Sequence, residues 1–104
     1  MTIQFNSDKS LVIHPEYEST LSGMLTTELN RYDEFITRLE VHLSDENGNK
    51  DGLNDKRCLL EARLKGRQPI AVTDEANTYD LAVSGATEKL KSSLVKITGR
   101  LKDH

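Results

Sequence analysis

The strongest constraint on the fold lies in the last quarter of the chain. Between residues 77 and 102 the apolar side chains Tyr79, Val83, Ala86, Leu90, Leu94, Ile97 and Leu101 recur at steps of four, three, four, four, three and four. Only the ~3.6-residue period of a helix brings such positions onto one stripe. The spacing predicts a long amphipathic helix over about 77–102, whose apolar stripe has to be buried against another layer of structure.

Upstream the period falls to two. Ile36, then Leu39, Val41 and Leu43, alternate with Arg38, Glu40, His42 and Ser44, and Cys58, Leu60, Ala62 and Leu64 alternate with Arg57, Glu61, Arg63 and Lys65, Leu59 being the exception. Each stretch reads as a strand with one apolar and one charged face. Between them the run DENGNKDGLND, residues 45–55, has the composition of a long hairpin loop. A turn at Gly66 to Pro69 leads to a short further strand, Ile70 to Thr73, which completes an antiparallel meander. At the start, Ile3 and Phe5 and then Leu11 to Ile13 suggest a strand interrupted or followed by the polar turn Asn6-Ser7-Asp8. Pro15 at a first helical position, Glu16 and Glu18 near the positive end of the dipole, and Tyr17, Leu21, Met24, Leu25 and Leu29 at helical spacing predict a helix over about 15–30. The order β-α-β-β-β-α predicts an α+β two-layer sandwich, two helices packed on one face of a mainly antiparallel four-stranded sheet.

Length and composition agree with this. At 104 residues the chain has the size of one domain, 1–104, and buries roughly two thirds of its unfolded surface without disulfide staples. With 36% apolar, 5% aromatic and no Trp, the core must be aliphatic. No apolar run approaches the ~20 residues of a membrane span, and MTIQFNSDKS lacks the basic and apolar regions of a secretory leader, so a cytoplasmic location is expected. The lone Cys58 cannot form an internal disulfide and lies in phase with core residues.

A net charge of −3 argues at first against a polyanionic partner. It is the sum of unlike halves. Residues 1–55 hold four basic side chains (Lys9, Arg31, Arg38, Lys50) against eleven acidic ones, whereas residues 56–104 hold ten against six, giving −7 and +4. Lys56, Arg57, Arg63, Lys65 and Arg67 fall on one strand and the turn after it, and Lys89, Lys96 and Arg100 recur at steps of seven and four along the last helix. Two such elements could border one groove that holds phosphates by charge, although lysines on a helix's outer face also serve solubility alone.

Catalytic patterns are weak. Asp45, Asn47, Asn49 and Asp51 alternate as calcium ligands do, but counted from Asp45 the turn-glycine and bidentate-acid positions are Lys50 and Lys56, and counted from Asn47 Gly52 fits while the acid position is Cys58. His42 shares a strand face with Glu40 and, across the hairpin, Glu61 and Arg63, without a nucleophile, phosphate loop or second histidine at ligand spacing. No catalytic residue, metal ligand or cofactor site is assigned.

In element order, and in residues 77–104, NTYDLAVSGATEKLKSSLVKITGRLKDH, the chain resembles the ribosome hibernation-promoting factor and ribosome-associated inhibitor family, also called sigma-54 modulation proteins. Val12-Ile13-His14-Pro15 is similar to that family's first helix start, Tyr32 to the tyrosine near that helix's end, and Glu88-Lys89-Leu90 to an Asp-Lys-Leu element ahead of a Lys/Arg-rich tail. The resemblance implies a non-enzymatic translation regulator that binds 16S rRNA in the decoding channel of the small ribosomal subunit and silences idle ribosomes. It would be a monomer off the ribosome, with no small-molecule substrate, cofactor or membrane partner. By length it is similar to the short class, and VHLSDENGNKDGLNDKRCLLEAR resembles a subgroup with an acidic hairpin. The resemblance implies rRNA contacts at Lys89, Lys96, Arg100 and Lys102, with Arg57, Arg63 and Lys65 as further candidates. Ser92 and Thr98 stand where relatives carry cations, which implies weaker, more salt-sensitive binding. The −7 half favours an alternative, a protein-binding regulatory domain that kept the fold and lost RNA affinity.

Overall fold

The computed structural model describes residues 1–7, 11–46 and 54–102, the last three by backbone alone. In chain order the elements are β1 (Thr2–Ser7), α1 (Pro15–Glu28), a 3₁₀ turn (Asn30–Tyr32), β2 (Ile36–Asp45), β3 (Lys56–Leu64), β4 (Ile70–Ala76) and α2 (Tyr79–Lys102). The strands form one sheet in the order β1-β2-β3-β4. β1 pairs parallel with β2, as a crossover through α1 permits, and the two following pairs are antiparallel.

The α+β architecture matches the sequence reading, with differences at the edges of elements. Asn6 and Ser7 extend β1 instead of turning it, and Leu11 to Ile13 lie outside the strand as an irregular segment, with Leu11 and Ile13 packed against the core. β4 runs three residues beyond Thr73, to Ala76. Its inward positions are Ile70, Val72, Asp74 and Ala76, so a carboxylate occupies an apolar phase, and that interruption of the pattern hid the strand's end. In β2 the spacing of Ile36 and Leu39, both fully buried, is odd for alternation. A register shift between Ile36 and Arg38 restores the phase, and the Thr37 hydroxyl there donates to the Arg63 carbonyl oxygen at 3.0 Å. Of the calcium-like loop, residues 47–53 lie outside the described residues.

One face of the sheet carries the core. Leu39, Val41 and Leu43 of β2, Cys58, Leu60, Ala62 and Leu64 of β3, Leu21, Leu25 and Leu29 of α1, and Ala82, Val83, Ala86, Leu90 and Leu94 of α2 form one buried cluster. At the start of α2 the Thr78 hydroxyl accepts the Leu81 amide at 3.1 Å, a cap that also favours the neighbouring Asp80 at the positive end of the dipole. The Tyr17 hydroxyl donates a hydrogen bond to the Asp80 carboxylate and ties the start of α1 to that of α2. At the base of the hairpin, Asn54 adopts a left-handed φ of 59° and donates its amide to Asn77 Oδ1 at 2.7 Å.

This layout divides the molecule along its strands. One end holds the hairpin base, the ends of β1 and β4 and the starts of both helices. The other holds the start of β2, the β3–β4 turn and, through Ile97, the C-terminal half of α2.

Candidate functional site

Alternation along β3 sends Cys58, Leu60, Ala62 and Leu64 into the core and therefore Arg57, Leu59, Glu61 and Arg63 to the opposite, uncovered face. Arg57 and Arg63 thus lie across the sheet from α2 and share no groove with its lysines. The period-two pattern already contained that separation. On the open face the arginines are engaged by carboxylates. Arg63 Nε donates to Glu40 Oε2 at 3.2 Å and its Nη2 lies 3.5 Å from Glu61 Oε1, while Arg57 Nη1 lies 3.6 Å from Glu46 Oε1. Arg38 donates to the Gln4 side-chain oxygen, with its Nε 3.9 Å from Glu40. Desolvation of Glu40 pushes its carboxyl up, but the Arg63 hydrogen bond and the charges of Arg38 and Arg63 outweigh it and hold the group below its ordinary value. The His42–Glu40 pair anticipated from sequence has a separation of 3.9 Å, too long for a hydrogen bond. It sits in an arginine-rich network above an open concavity of about 400 Å³ lined by Asn6, Ser44, Leu59 and Glu61 among others. Among the described residues no group of three or more His, Cys, Asp or Glu side chains is placed to hold a metal ion.

Lys89, the first of the anticipated contacts on the last helix, is also engaged. Its Nζ donates to the Thr73 carbonyl oxygen at 2.7 Å and to Asp74 Oδ1 at 3.1 Å, fastening α2 to β4. Gly85, one turn earlier, gives the Asp74 side chain its room: a Cβ there would collide with Asp74 Oδ2. Across the β3–β4 pair, Cys58 faces Asp74. Burial, with a smaller push from the Asp74 charge, raises the Cys58 thiol to about 12, which makes it an inert core residue. Lys56 lies between Asp45 Oδ2 at 2.9 Å and an Asp55 carboxylate oxygen at 3.4 Å, and the Asp45 hydrogen bond chiefly raises its pKa. Lys91 bridges Glu28 at 3.6 Å and Glu88 at 3.5 Å, linking the helices.

What remains is concentrated. Among the described residues, the cations without an ion pair are Arg31, Lys65, Arg67 and Lys96, and all four belong to the end that carries the β3–β4 turn. Lys65 donates its backbone amide to the Phe35 carbonyl oxygen at 3.0 Å, which brings the segment after Arg31 to this end. The Arg31 guanidinium lies 5.5 Å over the Tyr32 ring. Gly66, with φ at +67°, closes the tight turn that projects Lys65 and Arg67, both exposed. Lys96, exposed on α2, precedes Ile97, which faces the same turn across an open cleft of about 850 Å³ lined by Leu64, Gly66, Arg67, Gln68, Pro69 and Ile70. Asp33 and Glu34 stand near this end as well, Asp33 bound to the Met1 ammonium at 3.2 Å. The Arg100 and Lys102 side chains fall outside the described residues, although their backbone continues α2 beyond Lys96. The opposite end holds Glu16, Glu18, Asp45, Glu46, Asp55 and Asp80. The charge is therefore parted along the long direction of the strands. Arg31 and Arg67 gain a place in this cluster that helix and strand periodicity could not signal, because neither residue lies in a periodic element.

The fold has solved relatives. The N-terminal domain of Thermus thermophilus Protein Y is 20% identical with a TM-score of 0.72, covering 93% of this chain and 99% of that one. A ribosomal subunit interface protein from Coxiella burnetii is 19% identical with a TM-score of 0.72, covering 95% and 99%. At these identities the likeness establishes a common fold. No curated protein sequence matches the chain. The family described as sigma 54 modulation protein / S30EA ribosomal protein matches residues 9–102, nearly the whole length, and the chain belongs to that family.

Proposed function

We propose that this protein is a cytoplasmic, non-enzymatic translation regulator of the ribosome-hibernation type, acting as one domain and as a monomer off the ribosome. It binds the small ribosomal subunit by gripping 16S rRNA backbone with its cationic end, and so inhibits translation in idle cells. Membership of a ribosome-associated family supports the ribosome as partner. The observation that carries the mode of binding is the segregation of cations: those on the open sheet face and at Lys89 are engaged by carboxylates, while Lys65, Arg67, Lys96 and Arg31 collect at one end without an ion pair among the described residues. A cation without a carboxylate partner can neutralise a phosphate and release its counterions at no cost in broken ion pairs. Arg100 and Lys102, further along α2, extend the same candidate surface in sequence, whereas Lys89, Arg57 and Arg63 act first as internal fasteners.

Sedimentation with ribosomes at rising salt tests this. With about three phosphates neutralised, the log of the binding constant should fall against the log of salt with a slope of about −2 to −3. The pair Arg67→Glu, Lys96→Glu should abolish pelleting at low salt, and its failure to do so removes the cationic end from the interface. One observation favours a second reading, a protein-binding regulatory domain without RNA affinity: the open sheet face is a lattice of matched charges around Glu40, better suited to a mixed protein surface than to a polyanion. Absence of pelleting at any salt, with a protein partner retained through Arg38 or Glu61, would favour that reading.

A further inference from the structure

The cleft between the β3–β4 turn and α2 has a construction that phosphate binding alone does not need. We infer that it takes a single unstacked nucleotide of single-stranded RNA, an inference that rests on the RNA-binding reading above and specifies the form of RNA held. The rim carries Arg67, and Lys65 and Lys96, each the chain neighbour of a lining residue, are exposed beside it; none of the three forms an ion pair with a described residue. The floor is apolar: Leu64, Pro69, Ile70 and Ile97 present aliphatic surface, with Leu64 only 6% exposed. Between them lies Gln68, whose amide offers both donors and an acceptor. At about 850 Å³ the open cleft falls within the ~300–1,000 Å³ range of small-ligand sites.

These three chemistries match the three parts of one nucleotide. A phosphate seeks the rim, a base's flat face seeks dry contact with Pro69 and Ile97, and a base's edge requires a mixed donor and acceptor such as Gln68. A duplex satisfies only the first, because its bases are stacked and their Watson–Crick edges are paired. Paired RNA can therefore engage Lys65, Arg67 and Lys96 but cannot fill the floor, and the cleft should discriminate between the two forms.

The test is fluorescence anisotropy with the full chain and a labelled, unstructured RNA of about ten nucleotides, a length within the usual single-strand site sizes, with the fully paired duplex of the same strand as competitor. The single strand should bind at least about fivefold tighter than the duplex. Ile97→Ala and Gln68→Ala should each weaken the single strand about fivefold while leaving duplex binding within about twofold, whereas Arg67→Ala weakens both. Gln68 is exposed on the turn, so its variant tests the cleft even if Ile97→Ala disturbs packing. Equal competition by duplex, or unchanged single-strand binding in both floor variants, overturns the inference. Ribosome pelleting separates the two layers: wild-type pelleting with neutral floor variants leaves the ribosome reading standing and removes the cleft, and single-strand binding through the cleft without pelleting does the reverse. Pelleting that depends on Gln68 and Ile97 without binding of free RNA assigns the cleft to a protein segment, which also overturns it.

Discussion

Lys89→Met should cost stability and leave ribosome binding nearly intact, although the family resemblance places Lys89 in the rRNA interface. Methionine keeps the unbranched apolar stem, so the substitution isolates the ammonium and its two contacts, the Thr73 carbonyl oxygen at 2.7 Å and Asp74 Oδ1 at 3.1 Å. A hydrogen bond from a charged donor contributes about 1.5–3 kcal/mol and a surface ion pair about 0–1 kcal/mol. The Lys89 side chain is 55% exposed, which puts the sum at the low end. Asp74 is only 27% exposed and would keep its carboxylate at an inward strand position without its counter-charge. The net loss should be about 1–2 kcal/mol, read from the urea midpoint, or about 5–15 °C in Tm for a chain of this length. Adding Asp74→Asn should recover part of it, a coupling that a double-mutant cycle measures directly. The mirror variant, Lys96→Met, should hold stability within about 0.5 kcal/mol and lower ribosome pelleting. Unchanged stability in Lys89→Met together with about tenfold weaker pelleting would refute the assignment and return Lys89 to the interface.

Gly85→Ala gains helix propensity of about 1 kcal/mol but drives its methyl into Asp74 Oδ2, so a net loss of about 1–2 kcal/mol is expected, and Asp74→Ala in the same chain should convert that loss to a gain. Burial, the Asp80 hydrogen bond and the Asp80 charge raise the Tyr17 pKa well above the phenol range. The folded state therefore retains a proton that the unfolded state loses above a pH of about 10, so this contribution is complete below that pH and falls as pH rises through it. Alkaline melts of Tyr17→Phe should show a flatter decline than wild type, and superimposable profiles would remove Tyr17 as the cause. With its thiol pushed up to about 12 by burial, Cys58 should react with an aromatic disulfide reagent at mildly alkaline pH only as fast as the chain opens. Rapid labelling of the native protein would contradict the buried position.

The site was less legible than the fold because the two depend on different kinds of information. The steps of three and four from Tyr79 to Leu101 specify an amphipathic helix locally, and among the described residues the buried stripe of Val83, Ala86, Leu90 and Leu94 is widened by Ala82 and Thr87, with Tyr79 and Ile97 partly buried at its ends. Alternation in 36–44 and 57–65 likewise specifies strands and their two faces. It also separates Arg57 and Arg63 from the helix side, so a groove shared by those two arginines and the α2 lysines was excluded by the same pattern that predicted the strands, whereas Arg67 of the following turn does face α2 across a cleft. Where alternation stops being clean, the reading loses its hold: Leu11 to Ile13 look like strand but pack as an irregular segment, and the inward Asp74 conceals the last three residues of β4.

Periodicity and the family resemblance determined the α+β layering, the aliphatic core and the candidate cations, since those follow from near-neighbour spacing along one chain. Which cations are free was decided only in the folded state. Lys89 lies 15 residues from Asp74, and Arg63 lies 23 from Glu40, and such pairs meet through strand register and helix docking. The same docking brings Ile97 and Lys96 to a turn some thirty positions earlier and gathers Arg31, Lys65 and Arg67 beside it. A net charge of −3 and two unlike halves describe the chain's inventory of charge; the pairing of carboxylates with some cations and not others leaves one end of the molecule available to a polyanion.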